Sequence, residues 1–115
     1  MTLRDDSGRM QDVLEYSREA VAMCRGRARA DLDRDRMLNL AVVRLLTIIG
    51  EAAGRITQEK RAQSPEIPWP RIVGMRNRLI HGYEEVDLDV VWDVVTDDLP
   101  PLIAALERIL GEGRT

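Results

Sequence analysis

Apolar residues recur along this chain with the 3.6-residue period of an α-helix rather than the alternation of a strand. Met10, Val13, Leu14, Ser17, Val21 and Cys24 fall on one helical face and predict a first helix from about Ser7 to Arg27. Gly26 and the basic residues Arg25, Arg27 and Arg29 suit its C-terminal end. A second helix is predicted from Asp33 or Asp35, whose carboxylates complement a helix N-terminus, to about Arg61. Gly50 and Gly54 interrupt it. Its main stripe is Leu38, Val42, Leu45, Ile49, Ala52 and Ile56, while Leu40, Val43, Leu46 and Ile48 spread beyond that stripe. A helix this apolar around its circumference is buried on more than one side. A central core helix in a monomer would satisfy the pattern, but in so short a chain it favours a second subunit, and the two glycines permit close approach.

Ser64-Pro65-Glu66-Ile67-Pro68-Trp69-Pro70 breaks the chain, because proline has no N–H and does not fit a helix interior. Pro70 can open the next helix, with Ile72, Val73, Met75, Leu79 and Ile80 carrying it to about His81 and Gly82 as a left-handed C-cap. After a short acidic loop, Leu88 to Leu99 predicts another helix, which Pro100-Pro101 kinks or ends. Leu102, Ile103, Leu106, Ile109 and Leu110 form the last amphipathic segment, and residues 110–115 are expected to fray. The sum is an all-α fold, an up-and-down bundle of four to five helices that dimerises, in one domain spanning 1–115.

Composition sharpens this picture in a few places. The chain has 115 residues, 44% of them hydrophobic, and no Phe, so its core must be aliphatic. One cysteine, Cys24, excludes an intramolecular disulfide and a cysteine-based zinc site. No uninterrupted apolar run of membrane-span length and no signal-peptide pattern are found, and a cytoplasmic protein is expected. The net charge of −3 argues against a generally nucleic-acid-binding surface. It hides an asymmetry, however. Seven acids and no base lie between Glu84 and Asp98, while Arg71, Arg76 and Arg78 cluster just upstream. Sixteen of the seventeen bases are arginine, which fits a GC-rich genome and also suits phosphate recognition.

The candidate chemistry lies in Arg76-Asn77-Arg78-Leu79-Ile80-His81-Gly82-Tyr83. His81 is the only histidine, the side chain best suited to proton transfer near neutral pH. On an ideal helix Asn77 would share its face, while Arg76 would be rotated from it by about 140°. A proton-transfer group and a fixed cation are what metal-free phosphodiester cleavage requires. One histidine cannot easily serve as both base and acid, whereas two copies across a dimer interface could. A plainer alternative stands beside this one: a lone histidine near a helix end is commonly a cap, and Arg76 and Arg78 could pair with the downstream acids. A lone histidine without paired ligands gives no closed metal site, and neither metal nor cofactor is expected.

The same stretch resembles the Arg-x4-His-x-Tyr motif of HepT-like proteins in the HEPN superfamily. Leu46-Thr47-Ile48-Ile49-Gly50-Glu51-Ala52-Ala53, Pro65-Glu66-Ile67-Pro68-Trp69, Ile72-Val73-Gly74-Met75-Arg76-Asn77 and Asp98-Leu99-Pro100 extend the likeness from about Asp35 to Leu110. The resemblance implies a dimerising helical bundle and a metal-independent endoribonuclease, the toxin of a type II toxin–antitoxin module. Arg76 and His81 would be its catalytic pair, Asn77 a supporting polar residue, and Arg71 and Arg78 contacts to RNA phosphates. Products ending in 2′,3′-cyclic phosphate would follow. The implied partner is an MntA-like nucleotidyltransferase antitoxin that AMPylates the motif tyrosine, here Tyr83. Gly82 departs from the acidic or polar residue common at its position, and Arg78 from an apolar one. The alternative function is a non-catalytic helical partner, a scaffold that presents nucleotide or RNA to the nucleotidyltransferase.

Overall fold

The computed structural model describes residues 6–82 and 85–111. Three helices build the core: α1 (Asp6–Cys24), α3 (Arg36–Gly54) and α8 (Leu99–Leu110). α1 packs on both α3 and α8. Met10, Val13, Leu14, Leu46, Ile49 and Leu106 are fully buried where they meet. The all-α class expected from the periodicity is what the chain adopts, apart from one short hairpin among the described residues.

Both long helices end earlier than their apolar pattern suggests. α1 stops at Cys24, and Gly26 takes a left-handed turn before a one-turn helix α2 (Asp31–Arg34). α3 stops at Gly54 rather than near Arg61. Thr57 then starts a separate short helix, α4 (Gln58–Ala62), its hydroxyl accepting from the Lys60 N–H and donating to the Asp6 carboxylate at 2.6 Å. The N-terminus of α3 is fixed by Asp35, whose side chain accepts from the Leu38 N–H, as the acid in that position predicted. By length and mean hydropathy α3 is long and apolar enough to cross a membrane, although Arg44 and Glu51 interrupt its apolar run. Its packing against α1 on one side and against the 69–79 segment on another is that of a core helix.

The proline-rich break is closed by Trp69, whose indole N–H donates to the carbonyls of Arg61 and Ser64. Two one-turn helices follow, α5 (Trp69–Val73) and α6 (Met75–Leu79), instead of the single helix expected. They lie directly on α3. A Cβ at Gly50 would come within 2.8 Å of the Met75 Cβ and 3.0 Å of the Ile72 carbonyl oxygen. Gly50 is therefore used inside the subunit, where it lets α3 approach the segment that carries Arg76.

The predicted helix to His81 with Gly82 as its cap is corrected. α6 ends at Leu79, and Ile80–His81 form β1, paired antiparallel with β2 (Glu85–Val86). β-Branched Ile80 and Val86 face each other and His81 faces Glu85, the alternation expected of a two-stranded ribbon. Gly82 does adopt a left-handed conformation, φ 64°, but as the first residue of the hairpin connection. Tyr83 and Glu84 lie outside the described residues. The expected acidic loop is thus partly a strand, tied back by the Asp87 N–H donating to the Leu79 carbonyl at 2.7 Å.

After the hairpin, α7 (Leu88–Asp93) runs through a π-helical turn (Val94–Asp98) into α8. Pro100 and Pro101 sit in the first turn of α8, and the helical course continues through them rather than ending there. They offer no N–H to the carbonyls of Thr96 and Asp97 and crowd them, and the widened turn makes room for the rings. α8 continues through Leu110, and residues 112–115 of the expected frayed tail lie outside the described residues.

Candidate active site

A groove of about 720 Å³ runs between the outer face of α3 and the hairpin. Arg76 lines it from the first turn of α6, with Arg36 and Arg44 on the α3 side. Its apolar lining includes Leu40, Val43, Ile80, Val86 and Leu88. Arg76 is exposed, and among the described residues its guanidinium makes no hydrogen bond or ion pair. It is therefore available to an anion.

His81 is placed by the hairpin rather than by a helix. Its neighbours Ile80 and Gly82 line the groove. By strand alternation the His81 side chain leaves on the other face, together with Glu85. There its Nε2 lies 3.4 Å from Oδ2 of Asp87. Asp87 is itself anchored, because its other oxygen, Oδ1, accepts from the N–H groups of Asp89 and Val90 and caps α7. A capping carboxylate thus has one oxygen for the helix and one for the histidine.

The described residues of one chain place Arg76 in the groove and His81 on the opposite face of the hairpin. Asn77 is exposed and absent from the groove lining, and because the helix ends at Leu79, helical spacing no longer pairs it with His81. Arg71 and Arg78 are elsewhere. Both reach Oδ2 of Asp98 in the π-helical turn, at 3.2 and 2.9 Å, on the side of α5 and α6 away from the groove. They tie these short helices to the start of α8. Three acids of the run after Glu84 therefore serve as partners: Asp87 for His81, Asp89 for Arg29 and Asp98 for two arginines.

Three participants escaped the sequence reading. Asp87 carried a legible signal, an acid just before an apolar helical run, but nothing local said that its second oxygen would meet the histidine. Arg36 and Arg44 stood out only as cations on an otherwise apolar helix. Among the described residues, no group of three or more His, Cys, Asp or Glu side chains is arranged to hold a metal ion.

The family model described as "Ribonuclease HepT-like" matches residues 13–109. The chain belongs to the HepT-like ribonuclease family. Similar proteins span nearly the whole HepT-like chain. "Putative RNase MJ1380" of Methanocaldococcus jannaschii is 33% identical over 109 residues, covering 95% of this chain and 100% of the relative. "Probable ribonuclease HepT" of Thermococcus cleftensis is 37% identical over 103 residues, covering 86% of this chain and 94% of the relative. "Putative RNase TTE0752" of Caldanaerobacter subterraneus is 32% identical over 101 residues, covering 88% and 90%. No solved structure matches the HepT-like chain at a significant level. The match covers the groove, the hairpin and both ends of the Arg76–Tyr83 stretch, so the candidate site lies inside the family's own extent.

Proposed function

We propose that this HepT-like protein is a metal-independent endoribonuclease, the toxin of a toxin–antitoxin pair, whose site is completed when two chains meet. The observation that carries this reading is the pairing of roles: an arginine without a partner in an open groove, and a histidine held by an anchored carboxylate close by in the chain. His81 takes the proton of an RNA 2′-hydroxyl, and the 2′-oxygen attacks the adjacent phosphorus. Arg76 stabilises the charge that builds on the phosphoryl oxygens. The 5′-oxygen leaves with a proton from the second copy's histidine, and the product ends in a 2′,3′-cyclic phosphate.

Two features support the second copy. Arg76 enters the groove from α6, while His81 leaves the hairpin on the face away from the groove, which supports a site that draws on two chains. α3 also exposes Met37, at 81%, outside the groove lining. Apolar surface of this kind is what a homodimer covers.

By its resemblance to characterised members of the family, the chain is neutralised by an MntA-like nucleotidyltransferase in the cytoplasm. AMP passes from ATP to the Tyr83 phenol with release of pyrophosphate. The added phosphate brings negative charge close in sequence to Arg76 and His81, where it competes with RNA.

The test is purified protein on total RNA with chelator present. Wild type leaves cyclic-phosphate ends, and Arg76→Ala and His81→Ala each reduce cleavage at least 100-fold while keeping the wild-type melting temperature. Cleavage by both variants at the wild-type rate would exclude the pair. Mass spectrometry after co-expression with the neighbouring gene tests the second part, through AMP additions on Tyr83.

A further inference from the structure

Three cations and no acid line the described part of the groove, on a chain whose net charge is −3. Elsewhere arginines sit against acids: Arg18 with Glu107, Arg27 with Asp35, Arg29 with Asp33 and Asp89, and Arg71 and Arg78 with Asp98. In the groove, Arg36, Arg44 and Arg76 have no such partner among the described residues. Arg36 is the first residue of α3, where a positive side chain opposes the helix dipole, so the helix gains nothing from it there. Arg44 is an exposed cation on a helix whose other faces are buried.

We propose that Arg36 and Arg44 form a phosphate-binding track on α3 that guides a single RNA strand along the groove to Arg76. This rests on the RNA-cleaving reading above and assigns the residues that hold the strand on one side of the break. Eight residues of helix separate the two arginines by about 12 Å along the axis. That exceeds one nucleotide step of about 3.4 Å in a stacked strand, so they contact different phosphates. Leu40 and Val43 lie between them and Ile80 and Val86 stand opposite, an apolar bed against which unpaired bases can lie. A duplex keeps its base faces stacked inside and cannot use that bed. A second copy of the chain is a poorer occupant, because closing the groove by symmetry would face arginine with arginine and no acid between them. Met37, the most exposed apolar side chain described, lies outside the groove lining and leaves that contact separate.

The experiment measures binding of a fluorescent 2′-O-methyl single-stranded oligonucleotide, which lacks the attacking hydroxyl, against salt concentration. The Arg36→Gln/Arg44→Gln double variant should bind more weakly, and its log–log salt slope should fall by about 1.4, or about 0.7 for each lost single-strand phosphate contact. Arg25→Gln/Arg108→Gln removes the same charge elsewhere and should keep the wild-type slope. Arg44→Lys should restore most of the slope in a background carrying Arg36→Lys. A wild-type slope and affinity in the Arg36→Gln/Arg44→Gln protein would overturn the track. So would conversion of that variant from dimer to monomer in light scattering with unchanged RNA affinity, which would assign the arginines to the subunit contact. If wild type binds the oligonucleotide with the expected slope but cuts no natural RNA, the track stands and the nuclease reading falls. If wild type cuts RNA and the double variant keeps its slope, the reverse holds. Absence of any RNA binding by wild type refutes both.

Discussion

Nε2 of His81 and Oδ2 of Asp87 lie 3.4 Å apart, while Oδ1 of the same aspartate caps α7. The hairpin makes this possible by reversing the chain, so that six residues of sequence bring the two side chains to one face. Capping and histidine contact are separable by substitution. Asparagine caps a helix about as well as aspartate, but it has no charge to offer the ring. Asp87→Asn should therefore keep its melting temperature and lose RNA cleavage by about 10- to 100-fold in kcat, part of what general acid–base catalysis contributes, with little change in KM. Asp87→Ala should add a stability loss of about 1 kcal/mol from the missing cap. An Asp87→Asn protein with wild-type kcat would mean that the contact is structural only.

Subunit mixing tests whether the pair works across the dimer. The reaction takes its proton acceptor from one chain and its proton donor from the other, so a dimer of one wild-type and one His81→Ala chain should be inactive. After subunit exchange in an equimolar mixture of the two proteins, a quarter of the dimers are wild type and half are mixed, and roughly a quarter of wild-type activity should remain. If each chain works alone, half of the activity remains.

Gly50 should tolerate no side chain. A methyl group there meets the Met75 Cβ at 2.8 Å and the Ile72 carbonyl at 3.0 Å, and α5 and α6 must move to admit it. Gly50→Ala should lose about 1–3 kcal/mol in urea unfolding, the usual cost of overpacking. Cleavage should fall with it, because Met75 precedes Arg76 on the displaced segment. Gly54→Ala is the control: its added methyl would sit 3.7 Å from Val73 Cγ1, an ordinary contact.

Acid should weaken the α1–α3 corner through Asp35. Its carboxyl is held below the usual value of 3.8, first by the Arg27 hydrogen bond and then by the Leu38 N–H. The folded protein therefore binds that proton less readily than the unfolded chain. The stabilising contribution is complete above the ordinary carboxylate value and is lost as pH falls through the lower folded value. Asp35→Asn keeps the cap and removes the titration. Urea midpoints of the variant should decline less than those of wild type between pH 5 and pH 3, while equal declines would remove Asp35 from the acid response.

Helical periodicity carried the fold class because α1, α3 and α8 bury continuous stripes, and burial is what that period reports. It failed at residues 74–86. Segments of five residues or fewer hold too little pattern to separate a helical turn from a strand. Ile80 is compatible with either, and the hairpin is decided by its pairing with Val86 and by the bond from Asp87 to Leu79. The boundary at Gly54 was missed for a related reason: Ile56 continues the apolar stripe of α3 although the helix has ended, since burial does not require the same helix.

The sequence alone determined the helical class, the aliphatic core, the chain break at Ser64–Pro70 and the stretch that carries Arg76 and His81. These depend on residue type and short-range spacing, which are written in the chain itself. Only the tertiary structure decided which charges remain available. It joined Arg71 and Arg78 to Asp98 and His81 to Asp87, and it left Arg76 in a groove with Arg36 and Arg44. The physical reason is that ion pairing depends on distance in space. Arg36 and Arg76 are 40 positions apart in the sequence, and they line one groove only because Gly50 lets α6 lie against α3.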